Sequence, residues 1–249
     1  MDFREILNEK RNKNEIYLGQ NEEGHLIINA DLQPSIVITG ETGAGKSILL
    51  DQILLELMST HTSLEMGFIL IDTSGVELNH YQNTNYTLTS VLNDKDKAIV
   101  VLSRVLKEIE RRKKLLYDAK VMTVSEYNKI SSVKLPLLVV AIDDNKSLLN
   151  SEDIEHLLSG IISGLSGIGV LFILVTGNVH TPFFETDLNT LASVLISFDF
   201  AAPEDSSRAN LYGADKLKIG EFMVRQNDEH KIYQNYEFDD AIIQEMVER

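Results

Sequence analysis

The sequence predicts an α/β fold, with a mostly parallel central sheet covered by helices on both faces and with edge hairpins. Three observations support it. Short apolar, β-branched segments alternate with longer segments of helical period. A glycine-rich loop joins the first buried strand to a helix, and two buried strands end in acids, at Asp72 and Asp143. Parallel strands need helical crossovers, so this alternation indicates a helix-covered parallel sheet.

The chain is predicted to form one domain. Residues 1–30 supply an opening helix over 2–13 and an edge hairpin from 15–18 and 25–28, and residues 31–249 form the domain itself. No linker rich in proline, glycine and serine divides the 249 residues, of which 43% are hydrophobic, enough for a sizeable core. Because an acidic chain of middle length starts directly at a module-like hairpin, we expect an excised module of a longer protein, with a complete protein as the alternative.

The remaining elements follow from periodicity and capping residues. Strands are expected at 35–39, 67–72, 135–144, 170–176 and 194–198, helices at 48–58, 94–120, 151–166 (capped by Ser151) and 238–249, and a closing hairpin at 220–225 and 231–236. The basic residues 111–114 lie within the long helix. They are interpreted as a solvated face, with a contact to a neighbouring subunit or polyanion as the alternative.

Composition excludes several kinds of site. The chain has no cysteine, so it has no disulfide and no thiolate metal ligand, and its six histidines are too scattered for a zinc site. The charged opening residues are unlike a signal peptide, and no apolar run approaches the ~18 residues of a membrane span. The net charge of −15 disfavours DNA as a partner, because such a surface repels phosphates.

Residues 40–47 fit the phosphate-loop pattern G-x-x-x-x-G-K-[ST]. The three glycines of this loop allow the backbone to curl so that several N–H groups point at a phosphate. Lys46 is predicted to contact the β- and γ-phosphates as a catalytic residue, and Ser47 to ligate Mg²⁺. The sequence therefore predicts ATP and Mg²⁺ as ligands, bound by Gly40, Glu41, Thr42, Gly43, Ala44, Gly45, Lys46, Ser47 and Ile48.

Asp143 and Asp144 end the third predicted core strand. An acid at this place positions Mg²⁺ beside a phosphate loop, so Asp143 is predicted to be the second metal residue. Asp144 is predicted to polarise the attacking water. Many such ATPases carry the longer Glu there, and a displacement of about 1 Å can cost on the order of 10²-fold in rate. Slow hydrolysis is therefore expected.

Several segments, in order, resemble the FtsK/SpoIIIE family of RecA-like motor ATPases over roughly residues 15–248. They are the strand and loop at 34–47, 68–72 with Glu77-Leu78 and Tyr81, 91–94 with 108–112, 126–128, 137–144, 207–208, 213–214 and 219–223. The resemblance implies a RecA-like P-loop NTPase fold and ATPase chemistry.

The chain departs from that family's pattern at four catalytic positions. Asp144 replaces the usual Glu, and Gly177 stands where a Gln senses the γ-phosphate, leaving Asn178 as a substitute sensor. Ile196 stands where a finger arginine precedes the fifth strand, and Thr73-Ser74 follow Asp72 in place of Pro-Lys. These departures imply a domain kept for nucleotide binding more than for fast pumping.

That combination is similar to the C-terminal ATPase module of type VII secretion coupling proteins. The resemblance implies a cytoplasmic module tethered to the inner face of the cell membrane, with other ATPase modules and a secreted protein substrate as partners. Two alternatives stay open, a double-stranded DNA translocase motor and a nucleotide-binding scaffold without turnover.

Overall fold

A nine-stranded sheet runs through the computed structural model, with strand order β2-β1-β9-β8-β7-β3-β6-β5-β4. The structure describes residues 1–9, 12–144, 148–181, 183–184, 192–226 and 229–248. The strands are β1 (Glu15–Asn21), β2 (Gly24–Asn29), β3 (Ser35–Thr39), β4 (Met66–Asp72), β5 (Leu137–Asp144), β6 (Val170–Thr176), β7 (Val194–Ser197), β8 (Glu221–Gln226) and β9 (Glu229–Gln234).

The sheet has a parallel and an antiparallel part. Strands β7, β3, β6, β5 and β4 are parallel neighbours, whereas β8, β9, β1 and β2 continue the sheet in antiparallel fashion. The hairpin β1–β2 lies at an edge, as predicted. The hairpin β8–β9 is not an edge hairpin, because β8 pairs with β7 and β9 pairs with β1 through Gln234 and Gln20.

Helices cover both faces of this sheet, and the predicted α/β class is confirmed. The α-helices are α1 (Phe3–Asn8), α2 (Lys46–Thr60), α3 (Lys95–Ala119), α4 (Val124–Ile130), α5 (Glu152–Ile162), α6 (Pro203–Arg208) and α7 (Ala241–Val247). Apolar side chains of α1, α2 and α7 form one buried cluster, and those of α3, α4 and α5 form another. Side chains alternate along β5, so that Val139 joins the first cluster and Val140 the second.

Several predicted boundaries change. The opening helix ends at Asn8, well before residue 13, and residues 10 and 11 lie outside the described part of the chain, as does Arg249 at the end of the last predicted helix. Ser151 stands at the N-cap of α5, but its side chain makes no capping hydrogen bond, so the predicted cap is wrong in its chemistry. Helices α4 and α6 are additional to the predicted elements.

The basic run in α3 is largely paired within the chain. Arg112 is buried, and its guanidinium donates to the carbonyls of Ile168 and Gly169 and to Glu108. Arg111 pairs with Glu108, and Lys113 pairs with Glu110. This buried arginine corrects the interpretation of the run as a solvated face. In the described part of the chain, no helix is both long enough and apolar enough to span a membrane.

Candidate nucleotide-binding site

The glycine-rich loop leaves the carboxyl end of β3 and enters α2. Its glycines have positive φ, +132° at Gly40, +81° at Gly43 and +114° at Gly45, in a region that disfavours side chains. The fully buried Phe198 supports the loop from below, since a Cβ at Gly40 or Gly45 would lie 3.0 or 3.1 Å from its side chain. The Glu41 N–H donates to the Asp199 carbonyl at 2.8 Å. The loop is therefore held on the end of β7.

Lys46 begins α2 and is only 7% exposed. Its ammonium donates to the carbonyls of Gly40 and Glu41, at 2.9 and 2.8 Å, so the charge sits inside the curl of the loop. Burial lowers the pKa of Lys46, while the Asp143 and Glu41 carboxylates oppose that shift. A partly desolvated cation in a glycine loop is suited to bind an anion such as a phosphate.

Asp143 faces the loop from the end of β5. The Ser47 hydroxyl donates to Asp143 Oδ2 at 3.5 Å, a long contact that brings the two predicted metal residues together. Burial raises the pKa of Asp143 to about 7, with further contributions from the nearby carboxylates of Asp72 and Glu77. Lys46 and Ser47 act in the opposite direction. A concentration of negative charge around a buried carboxyl favours a divalent cation there.

These residues fit a nucleotide and Mg²⁺. The loop is open where Gly43 turns, because a Cβ there would meet nothing within 4 Å, and the Glu41, Thr42 and Gly43 positions are exposed. Ile48 is also exposed, at 40%, on the first turn of α2. In this arrangement the loop and Lys46 would hold the phosphates, and Ser47 and Asp143 would hold the metal, which neutralises charge on the phosphate oxygens.

Asp144 is placed next to Asp143 but is bonded away from the loop. It is 2% exposed, and its carboxylate accepts from the Leu148 and Leu149 N–H groups at 2.8 and 3.2 Å. Those amides open the 3₁₀ turn Leu148–Asn150. The carboxylate thereby anchors this 3₁₀ turn, a contact that the sequence did not predict.

The predicted sensor region lies beside the loop at the end of β6. Asn178 is half-buried, and its Oδ1 accepts from the His180 N–H at 3.1 Å while its Nδ2 is 3.5 Å from Asn150 Oδ1. Gly177 approaches the loop more closely, since a Cβ there would lie 3.4 Å from the Gly40 carbonyl. Ile196 is fully buried in β7 opposite Ile38, so this position offers no cation to a neighbouring subunit.

The sequence analysis missed Phe198 and Asp199 as parts of the site. Phe198 ends the predicted fifth strand and Asp199 follows it, which was a usable signal, because β7 pairs with β3 and its end must lie beside the loop. To predict that these residues contact the loop, however, the order of the strands in the sheet must be known, and no local sequence pattern gives that order.

Residues 4–169 match the model of the FtsK/SpoIIIE family. The DNA translocase FtsK of Campylobacter jejuni subsp. jejuni serotype O:2 is 31% identical over 187 residues, which cover 70% of this chain and 20% of the relative. The chain spans a fifth to a third of the curated relatives that it matches.

Solved structures share the fold at lower identity. The pCW3 conjugation coupling protein TcpA with ATPγS has a TM-score of 0.84 at 22% identity, covering 96% of this chain and 71% of that one. EssC (ATPases 2 and 3) of Geobacillus thermodenitrificans has a TM-score of 0.79 at 21% identity, and the match covers 95% of this chain and 47% of that one. Thermomonospora curvata EccC (ATPases 2 and 3) in complex with a signal sequence peptide has a TM-score of 0.72 at 18% identity, and the match covers 91% of this chain and 41% of that one. With its family model matched over most of its length, the chain belongs to the FtsK/SpoIIIE family.

Proposed function

We propose that this chain is an ATP-binding, slowly hydrolysing module of a membrane-associated type VII protein secretion motor, coupling nucleotide binding to recognition or export of a substrate. One observation carries the nucleotide part. The buried Lys46 ammonium lies within the glycine loop, and Ser47 faces Asp143 at the loop's end. This arrangement supports Mg·ATP as the ligand.

Slow hydrolysis is supported by what surrounds the phosphate site. The Asp144 carboxylate is bonded to two main-chain amides, Gly177 has no side chain to meet a γ-phosphate, and Ile196 is buried and uncharged. Gly177 and Ile196 each lack a group that would stabilise the transition state of phosphoryl transfer, and the two amides compete for the Asp144 carboxylate, while the phosphate loop is retained. Asn178 as a sensor and Asp144 as a water-polarising group stay predictions.

The secretion part is supported by charge and by fold. A net charge of −15 opposes a DNA backbone and permits a protein substrate. The structures of EssC and EccC that share the fold contain several ATPase domains, and one EccC structure includes a signal sequence peptide. In this proposal the module works on the cytoplasmic side of the membrane, beside other ATPase modules and a secreted protein.

A double-stranded DNA translocase motor is the second candidate. The curated relatives at 31% identity are named DNA translocase FtsK, and TcpA is a conjugation coupling protein. A local basic track would have to overcome the overall negative charge. The basic residues 111–114 of α3 contribute little to such a track, because Arg111, Arg112 and Lys113 pair with glutamates of the same helix.

Steady-state ATP turnover with and without long double-stranded DNA tests the proposal, with Mg·ATP binding confirmed on the same sample. Slow turnover that DNA leaves unchanged is the expected result. Strong stimulation by DNA would contradict the secretion proposal and support the translocase. Binding with no turnover, even with partner modules added, would support a nucleotide-binding scaffold instead.

A further inference from the structure

A groove runs between α3 and the edge strand β4, next to a position where β4 has no side chain. Side chains alternate along the strand, so Gly67 lies on the face of Ile69, which packs with α3. The side chain of Leu88 enters the space above Gly67, since a Cβ there would lie 2.7 Å from Leu88 Cδ1. Leu88 is still 60% exposed. The groove that remains, the α3–β4 groove, measures about 440 Å³, a volume typical of ligand pockets.

The α3–β4 groove is lined mostly by apolar side chains. Leu88 contributes from the segment after β4, and Val101 and Val105 contribute from α3. The strand residues in the lining come from the beginnings of β4 and β5: Met66, Gly67, Ile69, Leu137 and Leu138. The phosphate loop lies at the carboxyl ends of the strands, and β4 extends roughly 20 Å between its first and last residues at about 3.3 Å per residue. The groove is therefore remote from the nucleotide site.

The outer edge of β4 is already paired beside this groove. The Phe68 N–H donates to the Tyr86 carbonyl at 2.7 Å, and the Phe68 carbonyl accepts from the Leu88 N–H at 2.9 Å. Farther along the strand, the Leu70 carbonyl accepts from the Leu92 N–H at 3.0 Å. A peptide cannot add to this edge as a further strand, so a ligand of the groove must bind through side chains.

The charged residues of the lining are mainly cations, in a chain of net charge −15. They are Arg104, Glu108, Arg111 and Arg112. Arg111 and Arg112 both pair with the Glu108 carboxylate, at 2.7 and 2.8 Å, and their hydrogen bonds lower the pKa of Glu108 to about 2. Arg104 is exposed, and no hydrogen bond or ion pair engages its guanidinium in the part of the chain that the structure describes. The lining therefore has a cation available for an anionic group.

Apolar side chains continue beyond the groove at the same end of the sheet. Leu64 is 91% exposed and Val133 is 71% exposed, each within three residues of a lining residue. The main chain ties their segments together, because the Leu137 N–H donates to the Glu65 carbonyl at 2.9 Å. Exposed apolar surface with a polar rim is typical of protein-binding sites. A surface that is longer than the groove fits a peptide better than a small molecule.

We propose that the α3–β4 groove binds a peptide segment of a partner protein. An apolar side chain of the peptide packs between Leu88 and Val101, and an acidic side chain pairs with Arg104. A guanidinium donates strong, charge-assisted hydrogen bonds to a carboxylate, and the apolar lining is desolvated by the neighbouring side chain. The inference goes beyond the proposed function, because the groove lies away from the phosphate loop and binding there requires no ATP hydrolysis.

The test starts from a displayed library of random short peptides, selected on the whole wild-type chain. Enriched peptides are synthesised, and fluorescence anisotropy measures their Kd for Arg104→Glu and Leu88→Asp. Lys107→Glu is the matched charge control, because Lys107 is exposed on α3 one turn after Arg104 and is not among the described lining residues. Leu32→Asp is the matched apolar control, since this leucine is 80% exposed between β2 and β3. Thermal unfolding verifies that each variant is folded.

We expect the enriched peptides to share an apolar and an acidic residue. Arg104→Glu and Leu88→Asp should each weaken peptide binding at least about tenfold, and the two controls should change the Kd by less than about twofold. Replacing the acidic residue of the peptide by lysine should weaken binding to wild type and restore binding to Arg104→Glu. This exchange of charges would assign the pair directly, because a damaged fold would not be rescued by a changed peptide.

Three results would overturn the proposal: no peptide enriched on wild type relative to the two groove variants, enriched peptides that bind those variants as tightly as wild type, or no rescue of Arg104→Glu by the lysine peptide. Self-association of the wild-type chain that Leu88→Asp abolishes, measured by analytical ultracentrifugation, would also overturn it, since the groove would then bind a second copy of this chain.

Discussion

The two halves of the phosphate site differ in what their side chains are bonded to. In the phosphate-binding half (residues 40–48 with Phe198), the loop is braced from below and Lys46 points into its curl. In the half proposed for hydrolysis (Asp144, Gly177 and Asn178), the Asp144 carboxylate accepts hydrogen bonds from the turn at 148–150, and Gly177 has no side chain to contact a phosphate. We therefore expect binding and hydrolysis of ATP to be separable in this chain, because the groups proposed for each lie at different strand ends.

Phe198→Ala is expected to have the largest effect on the phosphate-binding half. Truncating a fully buried phenylalanine costs about 3–5 kcal/mol of unfolding free energy, and here the cavity opens beneath Gly40 and Gly45. Denaturant unfolding gives the stability, and titration of Mg·ATP gives the affinity, which should also fall.

Phe172→Ala is the matched control, because Phe172 is fully buried in the other cluster and pairs with Ser35, at the start of β3. It should lose comparable stability and keep its nucleotide affinity once folded. Equal losses of affinity in both variants would show that Phe198 has no special role under the loop.

Asp143→Asn should change how stability depends on pH in Mg²⁺-free buffer. The folded chain holds the proton of Asp143 up to about pH 7, whereas an unfolded Asp releases it near pH 4, so this contribution to stability is lost as pH rises between the two values. The Asn variant should therefore be more stable than wild type at pH 8, by at most about 4 kcal/mol, and the gain should disappear near pH 4.

Asp72→Asn provides a control of opposite sign. The pKa of Asp72 is lowered, so its carboxylate stabilises the fold at neutral pH and loses that contribution as pH falls. Its Asn variant should be less stable than wild type at pH 7. Thermal unfolding scans across pH measure both variants, and parallel pH profiles for Asp143→Asn and wild type would contradict the predicted shift.

Lys46→Ala should weaken Mg·ATP binding by about 10²-fold, since charge-assisted hydrogen bonds to phosphate oxygens contribute about 1.5–3 kcal/mol. Isothermal titration of nucleotide measures this loss. Lys231→Ala is the control, because Lys231 is partly exposed and pairs with Glu23 on the distant hairpin. An unchanged Kd in Lys46→Ala would remove the basis for assigning the loop to phosphate binding.

Asp144→Glu should have the smallest effect, a rise in turnover of up to about tenfold. The added methylene lets the carboxylate reach further from β5, while the amides of Leu148 and Leu149 compete for it. A coupled assay of phosphate release measures the rate. Turnover that stays at the wild-type value would show that the short acid is not the cause of slow hydrolysis.

Much of the parallel core could be predicted from sequence, because each buried strand is a short apolar run. Strands β3 and β6 have the predicted bounds, and the glycine spacing predicts the loop at 40–47. The position of β8–β9 inside the sheet could not be predicted. Its pairing with β1 depends on contacts between residues about 214 positions apart, such as Gln20 and Gln234, which no local pattern contains.

The positions of the candidate site residues could be predicted from the sequence better than their hydrogen bonds could. Lys46, Ser47 and Asp143 come together as the motif implies. The use of Asp144 as a turn anchor depends on the amides of Leu148 and Leu149, and the turn after β4 is held by two carboxylates, Asp51 and Asp72, from separate elements. Sequence spacing specifies a residue's strand end, but its hydrogen-bond partners are set by the tertiary fold.

The most direct test of this separation is to measure the Kd of Mg·ATP and the turnover number on one sample of the wild-type chain. We expect saturable binding that Lys46→Ala abolishes or strongly weakens, with turnover below about 1 s⁻¹, the low end for enzymes. Turnover of tens per second with the same affinity would contradict it, because the hydrolytic half would then be as competent as the phosphate-binding half.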